Sequence, residues 1–215
     1  TPGMGPDGSL RENGIPATLV SAYLDHRGIV VEKTTDFTML FLFSIGITKG
    51  KWGTLLNALL KFKEDYGANV PLADAIVRLA EISPERYGRM GLRDLGDEMF
   101  KQMKDSGQTK LLELAFRTLP EPVTTPAEAY RRLVRNQVEQ VTLPNLPHRT
   151  VATGIVPYPP GIPLLIAGED AGPDDGPWLG YLRALEQWDQ RFPEFSHDIH
   201  GVENINGAYT ITCLK

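Results

Sequence analysis

Apolar residues recur along this chain at two different periods, and the changes between them mark out its elements. Leu19, Val20, Tyr23 and Leu24 lie at helical spacing behind Pro16, which suits a first turn, and ahead of Gly28, a natural stop. A helix from about Pro16 to Arg27 is predicted. Beyond it, Ile29-Val30-Val31 and Met39 to Phe43 are β-branched and aromatic runs bounded by turn formers, and they read as two buried strands. From about Lys49 to Tyr66, Trp52, Leu55, Leu56, Leu59, Leu60 and Phe62 give a helix a wide apolar face, with Gly67 to stop it. Helix, strand, strand, helix predicts a small α+β layer with helices on one sheet face. The second strand is apolar at every position, so both its faces need cover, from these helices or from another domain.

From about Val70 the texture changes to short helices. Ser83-Pro84-Glu85 is a cap followed by Pro, and Leu92, Leu95, Met99 and Met103 space a helix over Leu92 to Asp105. Thr125-Pro126-Ala127-Glu128 is a capping box opening a helix to about Arg135. Val138 to Leu143 and Arg149 to Val156 read as strands, whereas the four prolines of residues 156 to 165 forbid a helix or a central strand. Pro177 to Arg191 is a helix with Leu179, Leu182, Leu185 and Trp188 inward, and Asn206-Gly207 marks a hairpin turn into a strand over Ala208 to Leu214.

Composition narrows the function classes. The 215 residues allow one or two domains, and no apolar run is long enough to span a bilayer. Net charge is −5 with scattered basic residues, which argues against nucleic acid as a partner. One cysteine, Cys213, excludes an internal disulfide and suits a reducing, cytoplasmic setting. No signal peptide precedes the first helix. A chain opening on Thr1 and a glycine-rich stretch reads as a segment of something longer.

The most suggestive single residue is Glu32, a carboxylate at the end of a strand expected to be buried. Such an anion must be paired, solvated through a cleft, or used. It could present its charge to an ammonium or guanidinium, or form a salt bridge with Lys33 or another neighbour. His197 and His200 could share a helical face with Asp198 and hint at a metal, but a third ligand is not evident, and hydrogen-bonded structural histidines are the simpler reading. Residues Pro157 to Gly161 could shape a pocket mouth with Tyr158 presenting a hydroxyl, or form a rigid corner. Gly3, Gly5 and Gly8 fit no phosphate-loop spacing and read as turns. No complete catalytic constellation is present.

Longer strings carry more information. GIPATLVSAYLDHRGIVVEKT and LFLFSIGITKGKW, then YGRMGLRDL, VPYPPGIPLLIAGE, DIHG and the closing YTITCLK resemble the C-terminal part of the bacterial pyridoxal-phosphate-dependent ornithine/lysine/arginine decarboxylases. The likeness covers essentially the whole chain in the family's own order. It implies a small aminotransferase-like subdomain over residues 1–69, an antiparallel sheet with helices on one face. Over 70–215 it implies the family's α+β C-terminal domain, which borders the active-site entrance.

In that family the carboxylate of the VVEK string approaches the substrate's distal amino group, a role that maps onto Glu32. The resemblance also implies pyridoxal 5'-phosphate, whose ring accepts the electron pair left when carbon dioxide departs. The family's Ser-x-His-Lys string, which carries the Schiff-base lysine, is absent here, so the cofactor is expected on a missing large domain and no cofactor-binding or catalytic residue is expected in this chain. Expected partners are a basic amino acid, the rest of the decarboxylase chain and a homodimer partner. The positions matching a guanine-nucleotide alarmone site of lysine-type members are Pro71, Asp74 and Gly91, none cationic. SIGITKGKW and RMGLRDL look closer to arginine-type members, which favours arginine over lysine or ornithine. The competing class is a non-catalytic binding or regulatory module that keeps this fold.

Overall fold

Helix α1 spans Ala17–Asp25 and buries Leu19, Val20, Tyr23 and Leu24, the stripe predicted for it. We describe residues 1–158 and 161–215 from a computed structural model. The chain divides into two compact units, Thr1–Asp105 and Ser106–Lys215.

In the first unit α1 closes at Gly28, whose φ of 73° is the left-handed conformation that glycine adopts without strain. The strands that follow are shorter than expected. β1 is Lys33–Thr34 and β2 is Met39–Leu40, paired antiparallel with Lys33 opposite Leu40. Ile29-Val30-Val31 forms no strand, and Val30, Leu42 and Ile45 are 79%, 73% and 110% exposed rather than buried. A ladder extends only where a neighbouring strand offers donors and acceptors, and among the described residues these runs have no third strand beside them.

α2, Lys49–Ala68, runs through the expected stop at Gly67 and ends at Asn69, φ 53°. Its apolar face is only partly used: Ala58 and Phe62 are buried, while Trp52, Leu56 and Leu60 are exposed. The short helices α3 (Leu72–Ala75), α4 (Val77–Ile82) and α5 (Pro84–Tyr87) follow, then α6 (Leu92–Ser106) with Leu92, Leu95, Met99 and Met103 inward.

The second unit opens with α7, Gln108–Arg117, a helix the sequence reading missed although Leu111, Leu112 and Ala115 carry its spacing. In α8, Pro126–Val134, the Thr125 hydroxyl accepts from the Glu128 amide, which is half of the expected capping box; the Glu128 carboxylate pairs with Arg131 instead. β3 (Val138–Thr142) pairs with the last strand, and β4 (Val156–Tyr158) is a short edge strand that tolerates Pro157. The strand expected over Arg149 to Val156 reduces to isolated bridges such as Val151 with Cys213.

α9, Pro177–Arg191, has the predicted bounds, and the Trp178 indole donates to the Ala115 carbonyl of α7 at 3.1 Å. β5 (Asp198–His200) pairs antiparallel with β4, and β6 (Val202–Ile205) turns through Asn206 and Gly207 into β7 (Ala208–Leu214). Both turn residues have positive φ, 52° and 85°, as the two-residue hairpin requires. The sheet order β3-β7-β6 places Ile211 and Cys213 against Leu143, Val151, Leu179, Leu182 and Leu185 in one closed core.

Candidate functional site

Glu32 sits on the connection between α1 and β1. Its side chain is exposed, not buried as the strand reading required, and its amide donates to the Leu40 carbonyl at 3.0 Å. The carboxylate makes no ion pair or side-chain hydrogen bond among the described residues, so the salt bridge to Lys33 is not formed. A pocket of about 330 Å³ is lined by Gly28, Val30, Phe41, Phe43, Trp52 and Leu55, with Lys51 the charged residue on its wall. Glu32 does not itself line this pocket, whose nearest upstream lining residue is Val30; an unpaired, exposed carboxylate can pair with an approaching cation.

A buried polar node lies behind this connection. Asp65 of α2 accepts from the Tyr23 hydroxyl at 2.7 Å and from Lys61 Nζ at 2.9 Å, and Arg27 Nη2 lies 3.8 Å from it. Burial by itself would raise the Asp65 carboxyl; the hydrogen bonds from Tyr23 and Lys61, with the charges of Lys61 and Arg27, outweigh it and hold the group below its usual range. Burial and the Asp65 hydrogen bond push the Tyr23 phenol up. Sequence reading passed over Asp65 because it ended the helix stripe at Phe62. The signal was there, since Ala58, Phe62 and Asp65 follow one another at helical spacing and all three are buried.

In the second unit, Tyr158 ends β4 half-exposed, its ring 5.2 Å from that of His200 across the β4–β5 pair. Pro159 and Pro160, the middle of the expected pocket mouth, lie outside the described residues. His197 and His200 do not share a helical face: Asp198 and His200 belong to a strand, and His197 Nδ1 lies 2.8 Å from Asp189 Oδ1. Asp189, buried on α9, also accepts from the His197 amide at 3.0 Å and from the Tyr209 hydroxyl. That satisfies the carboxylate from three sides and makes His197 structural. Among the described residues no cluster of three or more His, Cys, Asp or Glu could hold a metal. Cys213 is fully buried and burial pushes its thiol up to about 11, so it is an inert core residue.

Two family descriptions match the chain: "Orn/Lys/Arg decarboxylase, C-terminal domain" over residues 109–215 and "Orn/Lys/Arg decarboxylase, major domain" over residues 1–51. The chain belongs to the Orn/Lys/Arg decarboxylase family. Over its whole length it is 49% identical to the biodegradative arginine decarboxylase of Escherichia coli (strain K12), covering 28% of that protein. It is 44% identical to the lysine decarboxylase LdcA of Pseudomonas aeruginosa, again over the whole chain and 29% of the relative. The solved structure of the E. coli constitutive lysine decarboxylase superimposes on the entire chain with a TM-score of 0.95 at 41% identity, covering 30% of that structure. The chain thus spans under a third of the length of these relatives. The mixed α+β architecture of small antiparallel sheets and helices is that of the matching segments of Orn/Lys/Arg decarboxylases. No helix among the described residues is long and apolar enough to cross a membrane.

Proposed function

We propose that this chain is the C-terminal portion of a pyridoxal-phosphate-dependent decarboxylase of basic amino acids, acting on arginine to give agmatine and carbon dioxide. The reading rests above all on whole-chain identity of 49% to an arginine decarboxylase, against 44% to a lysine decarboxylase. Within it, residues 1–69 serve as the end of the small aminotransferase-like subdomain and residues 70–215 as the C-terminal domain, with a homodimer in the cytoplasm as the working assembly.

Glu32 holds the distal cation of the substrate. Two features support that role: an unpaired, exposed carboxylate, and an apolar pocket that includes Val30, two residues upstream, in its lining and could take the substrate's methylene chain. A guanidinium offers a carboxylate two parallel N–H donors, which an ammonium cannot, and this favours arginine at such a site. Tyr158 lies at the entrance, its half-exposed ring offering a hydroxyl to an approaching substrate.

The described residues of this chain do not by themselves fit the cofactor. The apolar pocket lined by Val30, Phe41 and Trp52 offers Lys51 but no cluster of phosphate-binding donors and no acidic partner for a pyridine nitrogen. A second pocket of about 640 Å³, lined by Val20, Met39, Leu59, Phe62, Lys63 and Tyr66 among others, is equally apolar. The cofactor and the bond-breaking step therefore belong to the remainder of the longer enzyme, while this chain supplies recognition and the entrance.

The test is product formation by the full-length enzyme given arginine, lysine and ornithine in competition. Agmatine as the dominant product is expected. Cadaverine or putrescine in excess would overturn the arginine preference, and release of no amine from any of the three would overturn the decarboxylase reading.

A further inference from the structure

We infer that Arg27 is a positioning residue for Glu32, setting where the distal-cation carboxylate stands. This rests on the role given to Glu32 above. Arg27 follows the last turn of α1, and its guanidinium carbon lies 3.4 Å from the Tyr23 ring centroid. Its Nη1 donates to the Tyr23 carbonyl at 3.1 Å and to the Ala75 carbonyl, at the end of α3, at 3.0 Å. Its Nη2 faces Asp65 of α2 at 3.8 Å. One planar fork therefore ties the end of α1 to two other helices. A lysine, with a single ammonium, cannot stack on the ring, meet two carbonyls and face the carboxylate together.

The chain leaves this anchor on a short leash. Gly28 N–H donates to the Asp25 carbonyl at 2.9 Å and Ile29 N–H to the Leu24 carbonyl at 3.0 Å, which completes the helix stop. The next main-chain tie downstream is the Glu32 amide to Leu40 at 3.0 Å. Three peptide units link the two ties, roughly 10 Å of extended backbone. The tie at Leu40 belongs to a hairpin whose strands have two residues each, too small to fix a position alone. The side chain that locks the upstream end thus sets the placement of Glu32, which bears on substrate capture rather than on the bond-breaking step.

The experiment is a kinetic double-mutant cycle in the full-length decarboxylase, with Arg27→Ala, Arg27→Lys, Glu32→Gln and the double Arg27→Ala/Glu32→Gln. Arg27→Ala is expected to raise KM about tenfold with kcat within about twofold, Arg27→Lys to recover only part of this, and the double variant to be no worse than Glu32→Gln alone. Hydrogen exchange on the chain itself gives a readout free of activity: in Arg27→Ala the Ile29 and Glu32 amides should exchange faster while those of β7 keep their protection. Additive effects in the cycle, or Arg27→Ala kinetics equal to wild type beside an impaired Glu32→Gln, would overturn the inference and leave the role of Glu32 standing. A silent Glu32→Gln would instead overturn that role and this inference with it. Should Arg27→Ala lose protection throughout the first unit, Arg27→Met, which keeps the apolar stem, repeats the cycle with the same criteria.

Discussion

Two carboxylates in the first unit have opposite surroundings, and the contrast predicts how each responds to change. Glu32 is exposed and without a charged partner among the described residues, so its neutralisation should leave folding unaltered and act on substrate alone. A hydrogen bond to a charged group is worth about 1.5–3 kcal/mol, so Glu32→Gln in the full-length enzyme should weaken substrate capture on the order of 10- to 100-fold. Steady-state kinetics with arginine will check this; unchanged KM would return Glu32 to a surface role. Asp65 behaves the other way. Its folded-state pKa lies below the value in an unfolded chain, because the Tyr23 and Lys61 hydrogen bonds and the Lys61 and Arg27 charges outweigh its burial. The unfolded state therefore binds more protons in the acid range, and the stability Asp65 contributes is fully present above about pH 3.9, its unfolded value, and is lost as pH falls through the folded value. Asp65→Asn should lower stability at neutral pH and flatten the acid limb of the unfolding curve below about pH 3.9. Equal slopes for both proteins in a pH series of urea melts would refute it.

At the scale of elements, the hairpin with its flanks is the anomaly. Val30, Leu42 and Phe43 line one pocket with Trp52 of α2 and are largely exposed, as are Ile45, Leu56 and Leu60, so the described residues leave much apolar surface here uncovered. Such patches drive association. The chain on its own should therefore self-associate, and Leu42→Ser with Ile45→Ser should suppress this without lowering the melting temperature, since neither side chain is packed. Sedimentation velocity over a concentration series measures the first effect and thermal unfolding the second; a clean wild-type monomer would sink the idea. The same region shows where sequence reading failed. α9 and β7 were legible to the residue because their apolar positions pack inside this chain. The runs at Ile29 and Met39 were read as buried strands because their composition is that of a buried strand, but composition records what a segment is made to meet, and among the described residues only Met39 and Leu40 of these runs find a ladder partner, in Lys33–Thr34. Glu32 was singled out on an expected burial that the structure does not show, so the role proposed for it rests on the family string. Asp65 and Asp189 were missed since each is a charged residue interrupting an apolar face, a signal that means something only once its donors are located.

At the scale of the whole molecule, the two units differ in how completely each is closed. The second unit centres on one core in which Leu143, Val151, Ile155, Leu165, Leu179, Leu182, Leu185 and Ile211 are all essentially buried. Among its exposed apolar side chains Leu119 stands on a connection and Tyr130 and Val134 share α8, small patches of the kind normal for a protein surface. A stretch the size of Ser106–Lys215 is long enough to bury most of what folding needs to bury. The polar interior is also satisfied locally, with Asp189 serving Tyr209 and His197 from within the unit. Residues 106–215 produced alone should therefore be monomeric and unfold in one cooperative step, whereas residues 1–105, which keep the uncovered hairpin, should associate. Differential scanning calorimetry supplies the check, with calorimetric and van't Hoff enthalpies agreeing for the second unit if it is autonomous. A broad transition or loss of near-ultraviolet dichroism in the isolated 106–215 piece would mean that its core depends on residues outside it. In that case the entrance role proposed for Tyr158 could not be tested apart from the rest of the longer chain, because β4 hangs on β5, and β5 follows His197, which is tied to Asp189 of α9 inside that same core.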